Sequence, residues 1–195
     1  MRRPPTIPAD LAARLDDPRA EPPDPGDLRL AAVIGLLLRD DPHDEDPCLL
    51  LIERSRALRA HAGQVAFPGG KPEAHDDGLA QTALREAREE VGLPPQGTTV
   101  LGRLGPVPTP TGFLIVPFVG WAPLGWVPRG TSPEVHRVLT PRLTQLADPA
   151  VHRVTGRRQW RGHAYELHEY AVHQPPVWGA TARMVWDLLR RLDHD

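Results

Sequence analysis

Arg85-Glu86-Ala87-Arg88-Glu89-Glu90 places three carboxylates within little more than one turn of chain. In a helix, successive side chains turn by about 100°. Leu79, Ala83, Leu84, Ala87 and Val91 then form one apolar arc. Glu86 and Glu90 lie side by side at its edge, with Glu89 one step further toward solvent. Like charges at this spacing repel, and partial burial makes the repulsion worse. Arg85 can reach Glu89 at i+4, but one arginine does not neutralise three carboxylates. A hard divalent cation would. Mg²⁺ takes oxygen ligands, accepts one or two carboxylates and leaves positions for water and a substrate phosphate; Mn²⁺ suits the same ligands.

The elements around this segment must hold it in place. Residues 78–91 predict a helix, and Gly92 supplies its stop. Phe67-Pro68-Gly69-Gly70 predicts a turn where backbone comes close to something, because two glycines remove side-chain bulk. Residues 29–38 and 48–54 predict two apolar strands, the second returning antiparallel, with a loop over 56–64; periodicity alone also allows a short helix over 29–38. Further strands are expected over 98–104, 112–121 and 165–172, the last alternating as a half-buried strand should. Residues 133–147 predict a loop leading to a short helix. Residues 181–192 predict a final helix with Ala182, Val185, Leu188, Leu189 and Leu192 on one face. Strands dispersed among helices imply an α/β fold, a mixed sheet with helices on both sides. Residues 1–28 read as an irregular proline-rich arm with one helical turn around 10–15, and residues 29–195 as a single domain.

An isolated REAREE string would read first as a solvated helix face laced by i,i+4 ion pairs. This one has company. Gly70, Asp76, Arg85, Glu86, Ala87, Glu89, Glu90, Gly92 and Leu93 together resemble the Nudix box: a glycine, an acidic residue, then R-E-(apolar)-x-E-E-x-G-(apolar). Asp76 stands where the box has Glu, with Asp77 as a competing candidate, and the gap to Arg85 is one residue longer than usual. The resemblance implies a Nudix-type α/β/α sandwich with a mixed β-sheet. It further implies Mg²⁺ or Mn²⁺ held through Glu86 and Glu90 with help from Glu89 and a backbone carbonyl near Gly70. It also implies hydrolysis of a phosphoanhydride in a nucleotide-containing substrate. Glu89 is one candidate for the proton-accepting carboxylate. Glu134 is another, since such enzymes often draw an acid from outside the box, although an acid there also suits a helix start.

A second motif precedes the box. Leu50-Leu51, Arg54-Ser55, Arg59, Gly63 and Phe67-Pro68-Gly69-Gly70 resemble the pattern of the coenzyme A pyrophosphatase subgroup, with Ile52 where that pattern has Thr. The stretch 177–182 and Pro117 are also similar to that subgroup. The resemblance implies a coenzyme A-like substrate, with Arg54, Arg59, Gly69, Gly70 and Lys71 on the substrate side. Guanidinium forks suit phosphates, and coenzyme A carries a 3′-phosphate besides its pyrophosphate. Arg56 reads as an exposed loop charge, and Lys71, the sole lysine, as either a phosphate contact or an exposed turn residue. Rival readings are hydrolysis of ADP-ribose, NADH or a dinucleoside polyphosphate on the same fold, or a non-catalytic nucleotide sensor. Intact Glu86, Glu89 and Glu90 argue against the sensor.

Composition narrows the field. A formal net charge of -2 over 195 residues gives no general drive toward nucleic acid or anionic lipid. No apolar run approaches the roughly 20 residues that span a bilayer, and the N-terminal stretch lacks the apolar centre of a signal peptide. One cysteine, Cys48, excludes an intrachain disulfide and fits a reducing cytoplasm. It reads as a small hydrophobe, not a nucleophile. The histidines show no zinc spacing. Trp160, Trp178 and Trp186 are expected to pack in the core. No oligomer interface is legible.

Overall fold

The computed structural model describes residues 10–160 and 162–192, so residues 1–9 of the expected arm lie outside it. A short 3-10 turn at Leu11–Arg14 opens the described chain. Strands β1 (Arg29–Leu38), β2 (Cys48–Leu49), β3 (Leu51–Arg54), β4 (Val65–Ala66) and β5 (Gly69–Gly70) lead to helix α1 (Leu79–Val91). Then come β6 (Thr99–Arg103), β7 (Val107–Pro108), β8 (Phe113–Trp121), β9 (Val135–Leu139) and helix α2 (Leu143–Ala147). Strands β10 (His152–Trp160), β11 (His163–Tyr170) and β12 (Val177–Trp178) precede helix α3 (Gly179–Leu192).

Strand β1 is the spine. It runs parallel to β8 from Arg29↔Phe113 to Leu37↔Trp121, and its other edge takes β2 and β5 antiparallel. Its alternation sorts the core into two layers. Ala32, Ile34 and Leu36 face one way, with Val116 and Phe118 of β8, and meet Leu79, Ala83, Leu84, Ala87 and Val91 of α1. Leu37 and Val119 face the other way, in one cluster with Leu143 and Leu146 of α2 and Ala182, Val185, Leu188 and Leu192 of α3. This is the expected mixed sheet between helical layers. Leu11 and Leu15 are buried in the α3-side layer, and Asp16 pairs with Arg103, so the helical turn expected near residues 10–15 is anchored to the body. No described helix is long and apolar enough to cross a membrane.

Several elements differ from the sequence reading. Residues 48–54 are not one strand. The Leu50 N–H still donates to Leu36 O, but from Leu51 the chain leaves β1 and pairs with β4 and β9 in a second, three-stranded sheet. The signal was hidden because both sides are covered: Leu49 and Leu51 enter one layer, Leu50 and Ile52 the other. The expected loop at 133–139 contains β9, whose sequence Val-His-Arg-Val-Leu lacks clean alternation and whose pairing with β3 slips at Glu53/Arg54. Strand β10 was missed for a related reason: most of its residues are exposed on both faces, and antiparallel pairing with β11 holds it. Trp178 is 50% exposed, contrary to the core role expected of it, because Val177 takes the inward position of the two-residue β12. Trp186 packs against the core with its ring stacked on His168.

Candidate active site

Helix α1 carries the carboxylates at the border that its pattern predicts. Its C-terminus is closed by Gly92 in the left-handed conformation, φ 68°, a position that favours glycine. The Gly92 N–H donates to Arg88 O and the Leu93 N–H to Ala87 O, and Leu93 is buried beyond the cap. Of the three acids, Glu90 is 4% exposed. The Glu86 side chain is 19% exposed and that of Glu89 58%. The gradient from core to solvent thus runs in an order set by the 3.6-residue period.

The glycine turn closes on these acids from β1. A Cβ on Gly69 would overlap the Ala32 carbonyl and Val33, so only glycine lets β5 lie this close to the spine. A Cβ on Gly70 would overlap the Glu86 carboxylate, which therefore rests directly against backbone. The Gly69 N–H donates to Glu90 Oε2 at 3.0 Å.

Two arginines divide the negative charge. Arg85 donates through Nε and Nη2 to Asp76 at 3.0 and 3.1 Å, through Nη1 to Glu86 at 3.0 Å, and through Nη2 to Lys71 O at 3.0 Å. Glu89 and Glu73 also stand 3.5 Å from Nη1. Asp76 further accepts from Thr82 Oγ1 and the Glu73 N–H, both at 2.9 Å. Hydrogen bonds from Arg85 hold the Asp76 carboxyl well below the ordinary carboxylate range, and the same bonds raise Arg85. Asp76, not its neighbour Asp77, is therefore the acid engaged with the helix, and it fixes the arginine that fixes Glu86.

Arg54 is the second cation. It reaches across from β3, with Nη1 3.5 Å from Glu90 Oε1 and Nη2 3.0 Å from Glu134 Oε2. Glu134 precedes β9, and its carbonyl accepts the Ser55 N–H at 2.7 Å, so the unforeseen β3–β9 pairing delivers this acid to the cluster. Burial pushes Glu90 up to about 7, against the Gly69 N–H and Arg54, which favour its charged form. Burial also raises Glu86, opposed by Arg85. In both acids loss of solvent is the leading cause, and neighbouring carboxylates add to it: Glu134 raises both, and Glu86 raises Glu90.

Glu86, Glu89, Glu90, Arg85, Arg54, Glu134, Gly69 and Gly70 are thus gathered in one place. Arg59 is not among them; it lies exposed in the loop between β3 and β4. Lys71 is exposed at the rim, its Nζ 5.7 Å from the Phe113 ring centroid. Among the described residues, no three His, Cys, Asp or Glu groups already stand as a metal cage. Glu86, Glu90 and Glu134 are instead turned toward arginines, and hard oxygen donors beside the half-buried glycine backbone of β5 suit Mg²⁺ or Mn²⁺. Sequence reasoning missed Glu53, 2% exposed, whose carboxylate is 2.9 Å from His173 Nε2 on the opposite side of β3. It also missed the His152–His168 contact of 3.0 Å. Neither pair has a motif spacing that would have revealed it.

A model of the NUDIX domain matches residues 28–178. A Photorhabdus laumondii protein named "Uncharacterized Nudix hydrolase NudL" is 39% identical over 147 residues, covering 75% of this chain and 78% of that one. A Salmonella paratyphi B protein of the same name is 42% identical over 143 residues, covering 73% of each. Among solved structures, the Nudix hydrolase RenU of M. smegmatis is 22% identical, covers 61% of this chain and 73% of its own, and superposes with a TM-score of 0.50. A MutT/nudix family protein from Enterococcus faecalis is 16% identical with a TM-score of 0.50, covering 89% of this chain and 64% of its own. At such identities the two structures speak for the fold alone. The domain match and the two bacterial relatives carry the assignment: the chain belongs to the Nudix hydrolase family.

Proposed function

We propose that this protein is a cytoplasmic, metal-dependent pyrophosphohydrolase of coenzyme A or its derivatives. Water is added across the phosphoanhydride, giving 4′-phosphopantetheine and adenosine 3′,5′-bisphosphate. The observation that carries the reading is the joining of the two motifs. The segment running from Arg54 to Gly70 places Arg54 and the Gly69 N–H on Glu90, and its loop holds Arg59 within the same hairpin.

Mg²⁺ or Mn²⁺, when bound, would supply the positive charge that neutralises the pyrophosphate and makes water a better nucleophile. Glu86 and Glu90 are the ligands proposed for it, with Glu89 and the Gly70 carbonyl beside them. Asp76 orients Arg85, and Arg85 orients Glu86. Glu89 and Glu134, both more than half exposed at the side chain, are the carboxylates able to take a proton from water and pass it to solvent. Arg54, beside the acids, serves the pyrophosphate. Arg59, exposed further out, serves the 3′-phosphate.

Steady-state hydrolysis of coenzyme A, 3′-dephospho-coenzyme A, ADP-ribose and NADH with Mg²⁺ tests this. Coenzyme A should show the highest kcat/KM. A charge-assisted contact to the 3′-phosphate is worth about 1.5–3 kcal/mol, roughly one to two orders of magnitude over the dephospho form. Arg59→Ala should narrow that gap, whereas Arg54→Ala should lower both substrates alike. Outright preference for ADP-ribose or NADH would refute the substrate assignment and leave the family intact.

A further inference from the structure

Strand β3 delivers Arg54 to a place that calls for a cation. Its guanidinium spans Glu90 on α1 and Glu134 ahead of β9, two acids from elements that share no other charged link among the described contacts. The engagement is incomplete. Arg54 Nε is buried with no hydrogen-bond partner among the described residues. The contact to Glu90 is 3.5 Å, the outer limit of a hydrogen bond, while the other Glu90 oxygen takes the Gly69 N–H at 3.0 Å. Arg85 is the contrast: Nε, Nη1 and Nη2 all donate, each at 3.0 Å in its shortest contact. A buried donor without an acceptor is costly, and a permanent structural arginine would fill it.

We infer that Arg54 is the resident counter-ion of the metal-free site: it competes with the divalent cation for Glu90 and Glu134 and is released toward a substrate phosphate when the cation binds. The inference rests on the reading of Glu90 as a metal ligand. It makes one side chain serve two states. Without metal, Arg54 offsets the repulsion between Glu90 and Glu134. With metal, a guanidinium already at the site meets the phosphate that the metal also holds, and its planar fork matches that ligand.

The test is Mn²⁺ titration of the metal-free full chain without substrate, with bound ion counted by electron paramagnetic resonance. Removing a unit charge at about 4 Å should tighten Mn²⁺ binding about tenfold in Arg54→Gln, while Arg54→Lys, which keeps the charge, stays near wild type. Equal or weaker binding by folded Arg54→Gln overturns the inference, because a purely structural arginine would leave a poorer site behind. Should that variant not fold, wild type supplies the reading. The Arg54 Nε–H nuclear magnetic resonance signal, assigned by its loss in Arg54→Lys, should exchange with water faster on Mg²⁺ addition, and unchanged exchange overturns the proposal. Mn²⁺ that binds neither wild type nor Glu90→Gln would sink the metal reading along with it. Normal wild-type binding with no gain in Arg54→Gln sinks this inference alone.

Discussion

Glu90→Gln should stabilise the metal-free protein at pH 8 and destroy its response to metal. Burial places the Glu90 pKa at about 7 against an ordinary 4.5. The folded chain therefore holds this proton more tightly than the unfolded chain. Raising the pH from about 4.5 to about 7 strips it at the expense of the native state, so stability falls through that window and levels off above it. At about 1.36 kcal/mol per pH unit, the gap amounts to about 3 kcal/mol, and local relaxation leaves about 1.5–3 kcal/mol to be measured. Glutamine mimics the protonated acid and can still accept the Gly69 N–H. Urea melts in EDTA at pH 5, 6, 7 and 8 should show wild type and variant nearly equal at pH 5, with the variant ahead by that amount at pH 8. Adding Mn²⁺ should then raise wild type and leave the variant unmoved. A difference that stays flat across pH, or a variant less stable than wild type at pH 8, would refute the claim that Glu90 is a charge stored against the fold.

Other predictions follow from neighbouring contacts. Glu86→Gln should keep the fold and lose about a hundredfold or more of Mg²⁺-dependent turnover, read as kcat/KM beside a circular dichroism spectrum; near-normal turnover would contradict its proposed role. Asp76→Ala frees the buried Arg85 guanidinium and should cost about 3 kcal/mol in urea unfolding. Because the folded state holds Asp76 below its ordinary value, its contribution is fully present above that value and shrinks as the pH falls from there toward the depressed one; an Asp76→Ala penalty that has not begun to shrink at pH 3 would contradict this. Cys48→Ala should leave kcat/KM unchanged apart from any stability cost, since Cys48 lies in β2 and burial raises its thiol; a thiol reagent that abolishes wild-type turnover and spares the variant would oppose it.

The site was more legible than the sheet that carries it. The 3.6-residue period of 79–91 placed Glu86 and Glu90 at the core border and Glu89 outside, because helix geometry depends on the local sequence alone. The close approach of Gly69 and Gly70 could be expected from residue type, though not its target; only β1 explains it. Arg54 and Glu134 are 80 residues apart, and their meeting depends on the pairing of β3 with β9, a strand without apolar alternation. That pairing is a tertiary fact with no local signature. The charge balance shows the same limit: Asp76 had a motif position but no visible partner until α1 folded back to bring Arg85 to it.

The proposed reaction is metal-dependent hydrolysis of the coenzyme A phosphoanhydride at Glu86 and Glu90. Its most direct test is mass analysis of the products formed from coenzyme A in ¹⁸O-labelled water, with and without Mg²⁺. The expected products are 4′-phosphopantetheine and adenosine 3′,5′-bisphosphate in equal amounts, with one labelled oxygen in one or other of them per turnover, and none of either with EDTA or with Glu86→Gln. Intact coenzyme A, cleavage at another bond, or the same products from Glu86→Gln in EDTA would contradict it.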